Sequence, residues 1–349
     1  MKKLTVPIFR FFHIALFLIP ALLRANGQPE QRQSIFDVLH HQEVLELTLE
    51  TSIDHFKQNR RSEENRKGRI AFRDAQGKKQ VWNVKVSMRG AYRRIHCDEM
   101  PPLKLNFKKS DLAAAGLAPY DDLKLVPFCS ENHELAREAL YREYLAYRLY
   151  NTVTDYSFRV QLVQINYIDT ESGAISEQWA FLIEDAAQLR DRIGAEKTEG
   201  DNIFNPEPER FDREYLKTVS VFQYMIGNTD WSLSTCKNLK LFVKNGKFIA
   251  VPYDFDFSAL VNPPYFAPDS DYGLTSRFQR VYIGPREDTD DLHATAHAIA
   301  GKRIVMERMI RKFKLLSLAG RRDMLDYLNS FFDNPEEVSA GEKVLAERL

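Results

Sequence analysis

Residues 222–258 read FQYMIGNTDWSLSTCKNLKLFVKNGKFIAVPYDFDFS, and this stretch predicts a tight β-hairpin. The apolar-rich run 239–243 forms its first strand. The dipeptide Asn245-Gly246 follows, and this pair accepts positive φ at both positions of a two-residue turn. The run 248–253 then returns as the second strand. A hairpin of this kind makes neighbours of the residues before its first strand and after its second.

Four polar residues flank the hairpin, and their oxygen atoms suit a hard divalent cation. Asn238 precedes the first strand and Asp254 ends the second, so the turn should bring them together, with Asp230 one short loop away. Asp256 follows in a run that alternates aromatic and acidic residues. Each of these residues is also common in turns. As a set around one hairpin they favour a site for Mg²⁺, which typically takes one or two carboxylates together with substrate phosphates.

The same residue types match the needs of kinase-type phosphoryl transfer. That reaction uses one aspartate to orient the hydroxyl nucleophile, and an asparagine and a second aspartate to hold metal against the phosphates. Lys104, in the strand PPLKLNF, is placed where a kinase lysine would meet phosphates, although an ordinary solvent-facing lysine is the better interpretation on local evidence alone. Arg89 precedes Gly90 in a basic loop that either approaches phosphates or is a plain turn.

Composition sets outer limits on the class of protein. The 349 residues are enough for one large domain or two modest ones, with a sizeable core. The 49 basic and 49 acidic side chains balance, so nucleic acid is not expected as a partner. An aromatic content of 12% excludes a disordered chain.

The first residues have the pattern of a secretory signal peptide, residues 1–27. A basic start is followed by the apolar run 11–23 and then by small residues. This run is shorter than the roughly 20 residues that a membrane-spanning helix needs. We therefore expect cleavage, no stable membrane span afterwards, and a periplasmic or extracellular protein.

Three cysteines remain, Cys97, Cys129 and Cys236. An odd, small number argues against a disulfide framework in an exported protein. One bridge is possible, but the sequence does not choose its partners. No cysteine or histidine spacing suggests zinc.

Periodicity predicts the other elements of the chain. A strongly periodic helix is expected over 134–150 and another over 212–226, with a polar surface loop over 191–210 between the second helix and the preceding strands. The closing helices are placed at 293–314 and 324–332. The remaining strands are predicted at 45–50, 69–73, 80–88, 101–107, 123–126, 160–168 and 178–183.

Six segments together resemble the CotH family of atypical kinases, which is named for a spore-coat protein kinase. They cover roughly residues 40–260 and occur in the same order as in the family. The two segments nearest the C-terminus, IGNTDWSLSTCKN and VPYDFDFS, are the strongest evidence for the resemblance. The segments are VSMRGAY, PPLKLNF, ELAREALYREYLAYRLY, FLIEDA, IGNTDWSLSTCKN and VPYDFDFS.

The resemblance implies an α+β, two-lobed protein-kinase-like fold. Its N-lobe would be an antiparallel sheet with one long helix, residues 28–185. Its C-lobe would be mainly helical, residues 186–349, with the catalytic hairpin at 228–258. The sequence departs from ordinary kinases in having no Gly-rich loop, only Gly90, and in the longer gap between Asp230 and Asn238.

The resemblance also implies ATP-dependent phosphorylation, with Mg²⁺ or Mn²⁺, of a hydroxyl on a protein or a saccharide outside the cytoplasm. The alternatives are a catalytically silent pseudokinase that serves as a cell-surface binding module, and a related transferase of the nucleotide or another group. The implied roles are nucleotide binding by Lys104 and, near the adenine linker, Glu184; catalysis by Asp230; and metal binding by Asn238 and Asp254, with Asp256 assisting. Arg89, in the basic loop, is a further candidate for nucleotide binding.

Overall fold

The computed structural model describes residue 1 and residues 32–340, apart from 91, 98–99, 130–131, 199–202 and 204. The predicted signal peptide, residues 1–27, lies outside this part of the chain except for Met1, so it stays a prediction. Among the residues that are described, no helix is both long enough and apolar enough to cross a membrane.

Seven strands close into a β-barrel in the order β1-β2-β3-β4-β5-β7-β6. Their bounds are β1 Val44–Thr51, β2 Arg66–Arg73, β3 Lys79–Met88, β4 Leu103–Phe107, β5 Asp122–Pro127, β6 Val160–Asp169 and β7 Ile175–Ile183. Neighbouring strands are antiparallel except β1 and β6, which pair in parallel from Val44↔Leu162 to Thr51↔Asp169 and so close the barrel.

Alternating side chains fill the barrel interior. On β4, Leu103, Leu105 and Phe107 are buried, and the two residues between them are only partly buried. Leu47 and Leu49 on β1 contribute to the same apolar cluster. Since successive side chains of a strand point to opposite faces, the polar residues of these strands lie on the outside.

The predicted two-lobed protein-kinase-like fold, with an antiparallel sheet as its N-lobe, is wrong. The strands themselves were placed correctly, but they form a closed barrel. Apolar and polar residues alternate in the same way in an open sheet packed on one side and in a barrel with a filled interior. The parallel pairing of β1 with β6 decides between the two, and local alternation does not encode it.

Helices and a second sheet surround a second apolar core. Helix α5 lies in this core together with α7, the hairpin β9-β10 and the closing helices. The helices are α1 Ile35–Leu39, α2 Ile53–Gln58, α3 Tyr92–His96, α4 Lys109–Ala114, α5 His133–Val153, α6 Ala186–Arg192, α7 Arg213–Ile226, α8 Thr289–Ala300, α9 Arg303–Lys312 and α10 Leu318–Asp333. The second sheet contains β8 Lys197–Thr198, β9 Leu239–Lys244 and β10 Lys247–Pro252.

The predicted hairpin is confirmed. Strands β9 and β10 are antiparallel with Lys244 opposite Lys247. Asn245 and Gly246 have φ values of 51° and 72°, as a two-residue turn with both positions left-handed requires. Strand β8 lies within 191–210, a stretch that was predicted to be entirely loop, and it pairs with β9. It was missed because two residues are too few to show alternation.

Asp169 ties the end of β6 to two neighbouring segments. Its carboxylate accepts hydrogen bonds from the backbone N–H groups of Ser172 at 2.7 Å, Asp54 at 2.9 Å and Glu171 at 2.9 Å. Desolvation acts to raise the pKa of Asp169, but these N–H groups together hold that pKa well below its usual range.

We expect Asp169→Ala to lower the free energy of unfolding by about 2–3 kcal/mol at pH 7, because three N–H groups lose their acceptor. The folded-state pKa is lowered, so the stabilisation is complete above the unfolded pKa and is lost progressively below about pH 4. Urea unfolding at pH 7 and pH 3 should therefore show a smaller difference between variant and wild type at pH 3. Asp326→Ala, on the exposed face of α10, is the control and should change little; an equal effect of both changes would contradict the account.

Candidate functional site

The hairpin places Asn238 and Asp254 at neighbouring positions, as the sequence predicted. The N–H of Tyr253 donates to the carbonyl of Asn238 at 3.0 Å, so the two polar residues flank one end of the ribbon. Both have left-handed backbones, with φ of 54° at Asn238 and 64° at Asp254. Asn and Asp adopt this conformation more readily than other residues with a side chain. Their residue types therefore suit the local backbone as well as a polar site.

The loop that carries Asp230 begins at the end of α7. Gly227 ends the helix with φ of 64°. The amide of the buried Asn228 donates to Gln223 at 3.0 Å, and its oxygen accepts from the N–H of Asp230 at 2.9 Å. A buried hydrogen-bond chain thus fixes the start of the Asp230 loop to the helix.

Gly227→Ala should lower the free energy of unfolding by about 2–4 kcal/mol. An added Cβ would lie 2.8 Å from the Cβ of Ala259 and would clash with the hydroxyl of Tyr327, on top of the cost of a left-handed backbone. Gly194 is a matched control, because it has φ of 65° and no atom within 4 Å of an added Cβ. Gly194→Ala should cost only about 1–2 kcal/mol. Equal unfolding midpoints for the two variants in urea would contradict the steric argument.

Asp230 is held by two residues at the start of the hairpin. The amide nitrogen of Asn238 donates to its carboxylate at 2.9 Å and to its carbonyl at 2.6 Å. The ammonium of Lys237 forms an ion pair with the same carboxylate. Burial nevertheless raises the pKa of Asp230, although the Lys237 contact acts in the opposite direction.

Asp254 is directed into the site by α5. Its N–H donates to the hydroxyl of Tyr147 at 2.8 Å. Burial, and after it the neighbouring charge of Asp256, raise the pKa of Asp254 to about 6. Within the described part of the chain, we find no hydrogen bond donated to its carboxylate. A half-buried carboxylate that accepts no hydrogen bond from the protein is a favourable ligand for a cation.

Asp256 lies deeper and is already engaged by protein groups. It is 4% exposed. Its Oδ2 atom accepts from Nε of Arg93 at 3.0 Å and from the Tyr265 hydroxyl at 3.2 Å. The role implied for Asp256, as an assisting metal ligand, stays a prediction, but these bonds leave it less available than Asp254.

These residues open onto one pocket with a cavity of about 370 Å³. This volume is within the range of small-molecule sites, roughly 300–1,000 Å³. One part of the wall is charged or polar and is formed by Arg89, Arg93, Asp230, Lys237, Asn238, Asp254 and Asp256. The rest is largely apolar and is formed by Gly90, Tyr92, Pro102, Val126, Tyr147, Ile183, Tyr253 and Phe257.

The charged part of the pocket is balanced, because its three carboxylates face three cations. Glu143 lies behind Arg93, and burial raises its pKa to about 8, so it adds little negative charge at neutral pH. Because charges are poorly screened when they are buried, the carboxylates favour a positively charged ligand beside them. The cations at the same site favour an anionic group next to it.

Two predicted nucleotide-binding residues are not brought to this pocket. Lys104 lies on the outside of β4, where its ammonium faces Asp122 at 3.4 Å. Glu184 is fully buried and accepts from Arg159 at 2.9 Å and from Arg192 at 2.6 Å. Both residues have structural partners in the barrel wall and its edge. Arg89, by contrast, lines the pocket.

Sequence reasoning missed two residues that shape the site, Arg93 and Tyr147. Tyr147 lies one helical turn after Glu143 on α5, and i, i+4 spacing places both on the same face of the helix. The periodicity of this helix showed which face is apolar. It did not show that the Tyr147 hydroxyl on this face accepts a hydrogen bond from Asp254 at the end of the hairpin. Arg93 gave no signal beyond its position in a basic loop.

The donor set fits a divalent cation only in part. Among the residues that the structure covers, no cluster of three or more His, Cys, Asp or Glu side chains is arranged to hold a metal ion. Asn238 and Asp254 would supply an amide oxygen and a carboxylate. Mg²⁺ is commonly held by one or two carboxylates, waters and the phosphates of its substrate. The pocket therefore suits a cation that arrives with a phosphate-bearing ligand.

Comparison with known proteins provides no assignment: no family model matches the chain, and no curated protein shows significant similarity to it.

Proposed function

We propose that this protein is an ATP-dependent phosphotransferase that uses Mg²⁺ or Mn²⁺ and acts on a hydroxyl of a protein or a saccharide outside the cytoplasm. The observation that carries the proposal is the meeting of Asp230, Asn238 and Asp254 in one pocket. The proposal rests on this pocket and not on the fold, since the expected kinase-like architecture is absent.

Each polar residue of the pocket has a role in the proposed reaction. Asp230 orients the acceptor hydroxyl and accepts its proton as the hydroxyl oxygen bonds to the γ-phosphorus and the bond to the β–γ bridging oxygen breaks. The amide nitrogen of Asn238 donates to Asp230, so its amide oxygen and the carboxylate of Asp254 would hold a divalent cation. A bound divalent cation would neutralise the charge of the phosphates.

The remaining cations and the apolar wall would position the nucleotide. Arg89 and Lys237 lie where they can pair with phosphate oxygens. The apolar part of the wall, which includes Val126 and Ile183, offers a surface for the adenine ring. Positioning and charge neutralisation account for most of the catalysis in reactions of this kind.

The proposal is tested by thermal unfolding of the purified protein with ATP and Mg²⁺ or Mn²⁺. A ligand at about 100 times its Kd adds roughly 2.7 kcal/mol of stability, which is readily seen as a higher Tm. Intact-mass analysis after incubation with protein and oligosaccharide acceptors should then show addition of one phosphate. An adenylate would indicate the related nucleotide transferase, and no Tm shift with either metal would contradict the proposal.

One observation favours a second candidate, a catalytically silent binding module. Lys237 already forms an ion pair with Asp230, and this pair occupies the carboxylate that would accept the proton of the acceptor hydroxyl. If the pair persists with ligand bound, nucleotide would bind without turnover. A clear Tm shift combined with no phosphate transfer to any acceptor would select this candidate.

A further inference from the structure

Arg93 is buried between two carboxylates. Its Nε donates to Asp256 at 3.0 Å and its Nη2 donates to Glu143 at 2.6 Å. Arg93 is 9% exposed, Glu143 2% and Asp256 4%. Burying such a cluster is expensive, and well-packed apolar residues are often as stable in its place. The cluster is therefore better explained by the residues that it holds in position than by a contribution to stability.

Arg93 is itself anchored on both sides. It lies on α3, a helix of only five residues, and the N–H of Cys97 bonds to the Arg93 carbonyl at 3.0 Å. Cys97 forms a disulfide with Cys129, just beyond the end of β5. The bridge joins the end of the short helix to the barrel, so the backbone near Arg93 is held covalently and its guanidinium by ion pairs.

Through Asp256, Arg93 holds the turn that carries Asp254. Helix α5 contacts this turn at two points: Glu143 reaches Asp256 through Arg93, and Tyr147 accepts the N–H of Asp254. The left-handed backbone of Asp254 costs roughly 1–2 kcal/mol and persists only where its surroundings determine it. The two contacts from one helix face provide that constraint.

We propose that Arg93 is a positioning residue of the proposed cation and phosphate site. It fixes Asp256, and through the shared turn it fixes the direction of the Asp254 carboxylate. This inference rests on the proposed function, because it concerns the affinity of the same pocket for a cation and a nucleotide. Outer contacts that orient metal ligands typically change metal affinity by about 10- to 100-fold when they are removed.

The test measures binding of Mn²⁺ with ATP by calorimetry. The double variant Arg93→Leu with Glu143→Leu removes the cation together with one of its two carboxyl partners, and it leaves Asp256 with the hydroxyl of Tyr265. We expect this variant to stay folded and to bind Mn²⁺–ATP about 10- to 100-fold more weakly. Asp326→Asn, on the exposed face of α10, is the control, and its affinity should equal that of the wild type.

Arg93→Lys covers the case in which the double variant does not fold. It keeps the charge but loses the forked geometry, so its affinity should lie between those of the wild type and the double variant. Wild-type affinity in Arg93→Lys, or in a folded double variant, would overturn the inference and leave the proposed function intact. Absence of Mn²⁺–ATP binding by the wild type would overturn both.

Discussion

Asp254→Asn is expected to reduce Mg²⁺-dependent ATP binding by about 100-fold or more. Asp254 is half-buried in the pocket wall, and its carboxylate accepts no hydrogen bond from the described residues. Asparagine keeps the shape and the left-handed backbone but removes the charge that a cation needs. Calorimetric titration with ATP, with and without Mg²⁺, should show that the metal no longer increases affinity.

The same change separates binding from folding. Because the half-buried charge of Asp254 lies close to that of Asp256, removing it should leave the Tm of the free protein unchanged or raise it. The Tm increase with Mg²⁺ and ATP should disappear. Asp326→Asn on α10 is the control and should keep both the affinity and the Tm shift. Wild-type binding by Asp254→Asn would remove this residue from the proposed site.

Asp230→Ala should reduce phosphate transfer by about 10²–10⁴-fold while nucleotide affinity changes little. In the proposed reaction Asp230 contacts the acceptor hydroxyl, whereas Asn238 and Asp254 contact the cation. The loss should therefore appear in kcat, with the Tm shift by Mg²⁺ and ATP preserved. The measurement is single-turnover phosphate transfer with saturating nucleotide.

A second substitution controls for the altered pairing around Asp230. Lys237 loses its partner in Asp230→Ala, and a released lysine could change phosphate binding. Asp230→Asn keeps the size of the side chain and an oxygen acceptor for Lys237, yet it should be as inactive as the alanine variant. Turnover at the wild-type rate in either variant would exclude Asp230 as the catalytic residue.

The hairpin and its polar ends were accessible from the sequence because their determinants are local. Asn245-Gly246 specifies a turn with two left-handed residues, and this turn places Asn238 next to Asp254. The approach of Asp230 also follows from short chain distances. Asp230, Asn238 and Asp254 lie close together in space because they are close together along the chain.

Barrel closure and the far side of the pocket depend on long-range contacts, and local patterns do not report them. Lys104 illustrates this difference. Its alternation with Leu103 was read correctly, but alternation does not show which face of a strand borders the site. In a barrel filled by apolar side chains, that face is the outer surface. The disulfide between Cys97 and Cys129 and the cluster around Arg93 likewise join segments far apart in the sequence.

The most direct test of the account is a crystal structure of the protein soaked with Mn²⁺ and a non-hydrolysable ATP analogue. Anomalous scattering locates Mn²⁺ without reference to the expected ligands. We predict one strong peak beside the Asp254 carboxylate and the Asn238 amide oxygen, with the terminal phosphate facing Asp230. A nucleotide bound elsewhere, or an Mn²⁺ peak away from Asp254 while this pocket stays empty, would contradict the account.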